Sequence, residues 1–193
     1  NDIADRELDR LHPRKRLRPI AEGHIGVAGA AAAALTLLCA SVAIAWMISP
    51  LTGTILLLYG LLQTLYNLRL KQVPILDLFA IAAGFVLRAW AGAAACGVLL
   101  SPWFLLCTAL LALFLGVEKR RGELMRLGYS TAPVSRPVLT QYTPGLLARM
   151  EQVTVTGAVL SYSLWSAGPS MNGARTAWMM LTIPFVLYAV LRY

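Results

Sequence analysis

Three stretches of this chain carry no charged residue: 25–68, 89–117 and 152–174. A helix crossing about 30 Å of hydrocarbon needs about 20 apolar residues, so each stretch can supply one or two crossings. Backbone polar groups find no water there, which leaves helices or closed barrels. The in–out alternation of a membrane barrel is absent. Composition agrees, with 58% of residues hydrophobic and 13% charged, far from the balance of a soluble domain. The sequence predicts an all-α, polytopic membrane bundle.

Helix starts are marked by Ser49-Pro50, Ser101-Pro102 and Thr143-Pro144, each a hydroxyl N-cap followed by proline at the first helical position. Pro74 fits the same first-turn role. Spans are predicted near 25–47, 51–69, 75–97, 102–119, 146–167 and 174–192. Gly168-Pro169 separates the fifth from the sixth, and Pro184 is expected to kink the sixth. Cys39, Cys96 and Cys107 lie in apolar runs without metal-ligand spacing and read as packing or lipid-facing residues. The chain opens on Asn1 in mid-motif, and the expectation is an excerpt of a longer protein, 1–193 forming one transmembrane domain.

Charge fixes the orientation. Segments 1–24, 69–77 and 118–151, with Arg192, hold fifteen of the seventeen Lys and Arg residues. The positive-inside rule makes that side cytoplasmic. The net charge of +8 then reflects topology and anionic substrates. Bases interleaved with stacking aromatics, as a nucleic-acid strand requires, are absent.

The same side carries the chemistry. Asp2, Asp5 and Asp9 precede bases at 10, 14, 15, 16 and 18. On a helix the three aspartates fall within roughly 60° of one another. Carboxylates so placed repel unless a cation sits among them, and an oxygen-only set suits Mg²⁺ together with substrate phosphates. The plainer alternative is a solvated, charged helix end.

Three further pieces can meet this one. Tyr66 to Asp77 crosses the turn between the second and third spans. Its Arg69 and Lys71 read equally well as snorkelling anchors, whereas Asp77, just inside a membrane helix, needs a partner or water. Glu118-Lys-Arg-Arg-Gly-Glu123 ends the fourth span, with Lys119 and Glu123 one turn apart; these bases suit a phosphate clamp. Ser135 to Tyr142 reads as a connecting loop or a flap over the site. Arg88 lies within a span and is expected to face the bundle interior, since a charge at the bilayer centre costs at least about 2.5–3.5 kcal/mol. Eleven residues from Asp77, it returns to within about 20° of the same direction. It is either an interhelical anchor or a cation lining a cavity. His12 and His24 lie by the interface, and neither is expected to ligate metal.

Asn1-Asp2-x-x-Asp5-x-x-x-Asp9 resembles the first aspartate motif of the UbiA superfamily of intramembrane polyprenyl transferases. The resemblance continues through His12-Pro13-x-Lys15-x-x-Arg18-Pro19, Tyr66 with Leu70-Lys71, Pro74 and Asp77, and Gly84-Phe-Val-Leu-Arg88-Ala-x-Ala-Gly92. It then runs through Lys119-Arg120-Arg121-x-Glu123, Arg136-Pro-Val-Leu139 with Tyr142, and Ile183-Pro-Phe185 to Arg192-Tyr193. Family members have about nine spans, so the resemblance implies that the first two and the last are missing. Within the superfamily it is to the decaprenyl-phosphate phosphoribosyltransferases. Where prenyl-diphosphate users carry a second Asp-x-x-x-Asp, this chain has Lys119-x-x-x-Glu123. Exchanging an acid for bases suits a donor with one more phosphate.

The resemblance implies Mg²⁺-dependent transfer of 5-phosphoribose from phosphoribosyl diphosphate to a polyprenyl (decaprenyl) phosphate, releasing pyrophosphate. The product would serve cell-envelope arabinose-donor synthesis, at the cytoplasmic face of a bacterial inner membrane. Asp2, Asp5 and Asp9 would be catalytic and hold the metal. Asn1, Lys15, Arg18, Tyr66, Lys71, Arg88, Lys119, Arg120 and Glu123 would bind substrate. A UbiA-type prenyltransferase acting on an aromatic or other acceptor is the second reading, and an inactive lipid-binding or structural relative the third. Homo-oligomerisation is left open.

Overall fold

The computed structural model describes residues 2–3, 5–11, 15–128, 137–168, 173–174 and 176–192. Two short helices come first, α1 (Arg6–Leu11) and α2 (Pro19–Glu22). Six follow: α3 (Val27–Ile48), α4 (Pro50–Leu68), α5 (Leu76–Cys96), α6 (Pro102–Gly128), α7 (Pro144–Ala167) and α8 (Ile183–Arg192). No strand occurs among the described residues, so the all-α expectation holds. By length and composition α3, α4, α5 and the Pro102–Met125 part of α6 can cross a membrane. At 24 residues α7 matches them in length, but Arg149 and Glu151 near its start make it less apolar.

Two of the predicted boundaries move at prolines. The expected sixth span is a 3-10 segment, Ala177–Thr182, running into the ten-residue α8. Pro184 is its second residue, where a missing N–H leaves no helical bond unmade; it starts a helix instead of kinking one. The other shift is at Pro74, which lies in the turn before α5. The N-cap there is Ile75, at φ 70° and ψ −48°. It is the one non-glycine residue with positive φ among those described. For a β-branched side chain this is a true outlier, worth about 1–3 kcal/mol of strain. Thr143 caps α7 as expected, its hydroxyl accepting the Leu146 N–H at 3.2 Å; Ser49 takes the N-cap position of α4, ahead of Pro50, but its hydroxyl makes no capping bond.

From α3 to α7 each long helix packs on the next in the chain, most extensively α6 on α7. The core lies at the charged end of α5, α6 and α7. Leu78, Val117, Val138, Tyr142 and Leu147 are buried together there. Val138 and Tyr142 come from the α6–α7 connection, whose described part begins with a 3-10 turn, Pro137–Gln141. That turn is a connection, as one of the two readings had it, and a well-anchored one: its apolar pair Val138 and Leu139 is fully buried.

At the other end Gly53 allows α3 and α4 to close. A Cβ there would stand 2.8 Å from the Trp46 ring and 3.0 Å from the Trp46 Cα. Small residues at such crossings let membrane helices approach closely. Gly53→Val is expected to cost about 1–3 kcal/mol, read as a lowered Tm in detergent. An unchanged Tm would contradict the close approach.

Candidate active site

The opening aspartates are met by cations from two directions. Residues 2–3 and 5 form turns, and α1 begins only at Arg6. The single helical face expected for Asp2, Asp5 and Asp9 is therefore replaced by a turn plus a helix. The reason is local: aspartate competes with the helix for its own backbone and favours turns and caps. Here the Asp5 carbonyl accepts the Asp9 N–H at 2.8 Å, the first helical bond. One nitrogen of Arg18 donates to Asp2 at 3.0 Å and to the buried Asp9 at 2.9 Å. Lys71 donates to Asp5 at 2.5 Å, across 66 residues of chain. Arg10 Nε donates to the Ala21 carbonyl at 3.0 Å and ties α1 to α2.

Among the described residues no three His, Cys, Asp or Glu groups gather closely enough to hold a metal ion. The expected cluster of three carboxylates is a pair plus one: Asp2 and Asp9 share Arg18, and Asp5 pairs with Lys71. The donors still fit a hard cation. All are carboxylate oxygens, and two of them converge on one positive nitrogen.

Asp77 finds its partners in the neighbouring helix and the loop beyond it. Arg120 Nε donates to Asp77 Oδ2 at 2.9 Å, with 1% of the arginine side chain and none of the aspartate exposed. Arg120 Nη1 donates to Glu123 at 2.9 Å. The Tyr142 hydroxyl donates to Asp77 Oδ1 at 2.5 Å and accepts the Ile75 N–H at 2.7 Å. Burial first, and then its bond to Asp77, push the Tyr142 hydroxyl well above the usual tyrosine range, so it stays a donor. Charge-assisted bonds of this kind are the strong ones.

These contacts give Arg120 and Glu123, expected to bind substrate, partners within the protein. Two Arg120 nitrogens are committed to carboxylates inside the protein, and Glu123 pairs with Arg120 three residues back. Lys119, from the same run, is exposed. Arg121 reaches Glu151 on α7 at 2.7 Å and Glu118 at 3.5 Å.

Arg88 takes both expected roles, with a different neighbour. Its guanidinium donates to the Tyr59 hydroxyl and lies 4.9 Å from the Tyr59 ring centre. It thus anchors α5 to α4, whereas Asp77 on the same helix reaches α6. Being long, its side chain can leave the direction that residue counting assigns. It also lines a cavity of about 70 Å³ with Gln63, Tyr66, Gly84 and Phe85, and it is exposed. Full enclosure by the bundle, the setting expected for a charge within a span, is not provided by the described residues.

Tyr66, expected to bind substrate, lines that cavity too. The sequence reading does not single out Tyr59 and Gln63, although Tyr59, Gln63 and Tyr66 stand at i, i+4 and i+7 of α4, on one face of it. Asn1, Arg136 and the side chain of Lys15 fall outside the described residues.

Comparison with known proteins agrees with this architecture. The sequence model of the UbiA prenyltransferase family matches residues 1–193. The chain is 36% identical to the decaprenyl-phosphate phosphoribosyltransferase of Corynebacterium glutamicum, covering 100% of this chain and 59% of that protein. It is also 36% identical to the decaprenyl-phosphate phosphoribosyltransferase of Mycobacterium tuberculosis, covering 100% of this chain and 63% of that protein. Its fold is similar to that of a UbiA homolog from Archaeoglobus fulgidus, with a TM-score of 0.75 and 19% identity over 99% of this chain and 66% of the other. The chain thus spans less than two thirds of the length of each. Its apolar helices and this kinship make it an integral membrane protein. By the match along its whole length, the chain belongs to the UbiA prenyltransferase family.

Proposed function

We propose that this chain carries the donor site of a polyprenyl-phosphate phosphoribosyltransferase. The observation that carries the reading is the Lys71–Asp5 contact, which closes the opening acidic motif onto the basic turn between α4 and α5. The names of the two relatives support the choice of substrates. In the reaction an oxygen of the lipid phosphate bonds to C1 of the ribose as the bond from C1 to the diphosphate breaks, and pyrophosphate leaves.

Family members generally depend on a divalent metal. Asp2, Asp5 and Asp9 would hold Mg²⁺, which supplies neutralisation of leaving-group charge. Arg18, Lys71 and Lys119 bind the donor's phosphates as cationic hydrogen-bond donors. Arg120 and Glu123 support them through Asp77. The cavity lined by Tyr66 and Arg88 receives a polar part of one substrate, while the lipid tail runs between apolar helix faces. The lipid phosphate is anionic at neutral pH, so the chain need not supply a strong base. The site faces the cytoplasm of a bacterial inner membrane, where the soluble donor is available.

With full-length protein in membranes, Lys71→Ala is expected to raise the KM for phosphoribosyl diphosphate about 10–100-fold, the loss of one or two charge-assisted bonds. An unchanged donor KM would remove Lys71 from the donor site.

A further inference from the structure

Ile75 holds a backbone conformation that its side chain disfavours, and the group bonded to its amide comes from 67 residues away. The Tyr142 hydroxyl accepts the Ile75 N–H at 2.7 Å and donates a hydrogen bond to Asp77, two residues further on, at 2.5 Å. It therefore clasps the turn and the first turn of α5 together. Asp77 is fixed in turn by Arg120 from α6. Within the turn, the Val73 carbonyl accepts the Asp77 N–H at 3.1 Å, and the Ile75 carbonyl accepts the N–H groups of Leu78 and Phe79. Four residues before Ile75 stands Lys71, in the 3-10 segment Leu70–Gln72, with its ammonium on Asp5. The Pro137–Gln141 segment, which leads into Tyr142, packs against that same 3-10 segment.

We infer that Tyr142 is a positioning residue: it holds the strained Ile75 peptide so that the α4–α5 turn presents Lys71 to the carboxylate of Asp5. A relaxed Ile75 would rotate the chain entering α5 and displace the segment carrying Lys71. The strain is sustained because Tyr142 is itself immobilised, with its ring in the core beside Leu78 and Val138 and its hydroxyl bonded on both sides. Positive φ at a site of this kind persists only where the surroundings over-determine it. The importance of the clasp for catalysis rests on the phosphoribosyltransferase reading; its effect on the position of Lys71 does not.

The test uses the full-length protein in membranes. Tyr142→Phe keeps the buried ring and removes the hydroxyl. Glycine at 75 adopts positive φ without steric cost, so Ile75→Gly relieves the strain that the clasp opposes. In a background with all native cysteines replaced by alanine, Asp5→Cys with Lys71→Cys reports the distance between the two positions by disulfide formation. Tyr142→Phe is expected to slow that cross-link about tenfold, the loss expected of one hydrogen bond. Adding Ile75→Gly is expected to restore most of the rate.

In the unmodified Asp5/Lys71 background, Tyr142→Phe is expected to raise the donor KM by a similar factor with kcat unchanged, again reversed by Ile75→Gly. An unchanged cross-linking rate in Tyr142→Phe overturns the inference. So does a slowed rate that Ile75→Gly fails to restore, since that marks general loosening. If Tyr142→Phe does not accumulate, the double variant must, and its failure to do so also overturns it. A cross-link that behaves as expected in a protein without phosphoribosyl transfer would sink the functional reading while leaving the clasp intact.

Discussion

Asp77→Ala is expected to destabilise the bundle by about 3–5 kcal/mol, the cost of leaving a buried charge without its partner. The guanidinium of Arg120 is buried and its Nε has Asp77 as acceptor. Glu123 offers it a second carboxylate, but on the more exposed side. The Tyr142 hydroxyl loses its acceptor in the same substitution, and an orphaned buried donor adds to the loss. The paired change Asp77→Leu with Arg120→Met is expected to recover most of the stability, because a buried ion pair replaced by packed apolar groups is often neutral. Thermal unfolding in detergent reads both. A single variant with unchanged Tm, or a double variant less stable than the single, would contradict the pairing.

Asp2→Ala is expected to act in the opposite sense, on turnover and not on folding. Asp2 is half-exposed and lies in a turn, and its bond to Arg18 is shared with Asp9. Such a pair contributes about 0.2–1 kcal/mol at a solvent-reached site. In the proposed reaction the same carboxylate would help hold the Mg²⁺ that neutralises the charge developing on the diphosphate. Losing one such preorganised group costs about 10²–10³ in kcat. The variant should insert and melt like the parent while transfer falls by that factor or more. A variant of unchanged rate would remove Asp2 from the metal site.

The long helices were legible because the bilayer imposes their length. Predicted spans at 51–69 and 75–97 match α4 and α5 to within a residue. The end of α6 was not legible in the same way. Positive charges mark where the membrane stops, and on that ground the predicted span ends at 119. Lys119, Arg120, Arg121 and Glu123 are also good helix formers, so α6 continues to Gly128 and carries Arg120 on a rigid element.

At the candidate site, the need of Asp77 for a partner was readable from its place inside a helix. The identity of those partners was not, since Arg120 and Tyr142 are 43 and 65 residues away and no local spacing encodes such pairs. The expected helical face for Asp2, Asp5 and Asp9 failed for a different reason. Periodicity presumes a helix, and aspartates at a chain's turn oppose one.

The central claim is tested most directly by offering two labelled donors to membranes carrying the full-length protein, with and without Mg²⁺. One arm pairs labelled phosphoribosyl diphosphate with polyprenyl phosphate; the other pairs labelled prenyl diphosphate with aromatic acceptors. The expected result is label in a lipid–ribose product, only in the first arm and only with Mg²⁺. Product from the prenyl donor alone would contradict the phosphoribosyltransferase reading.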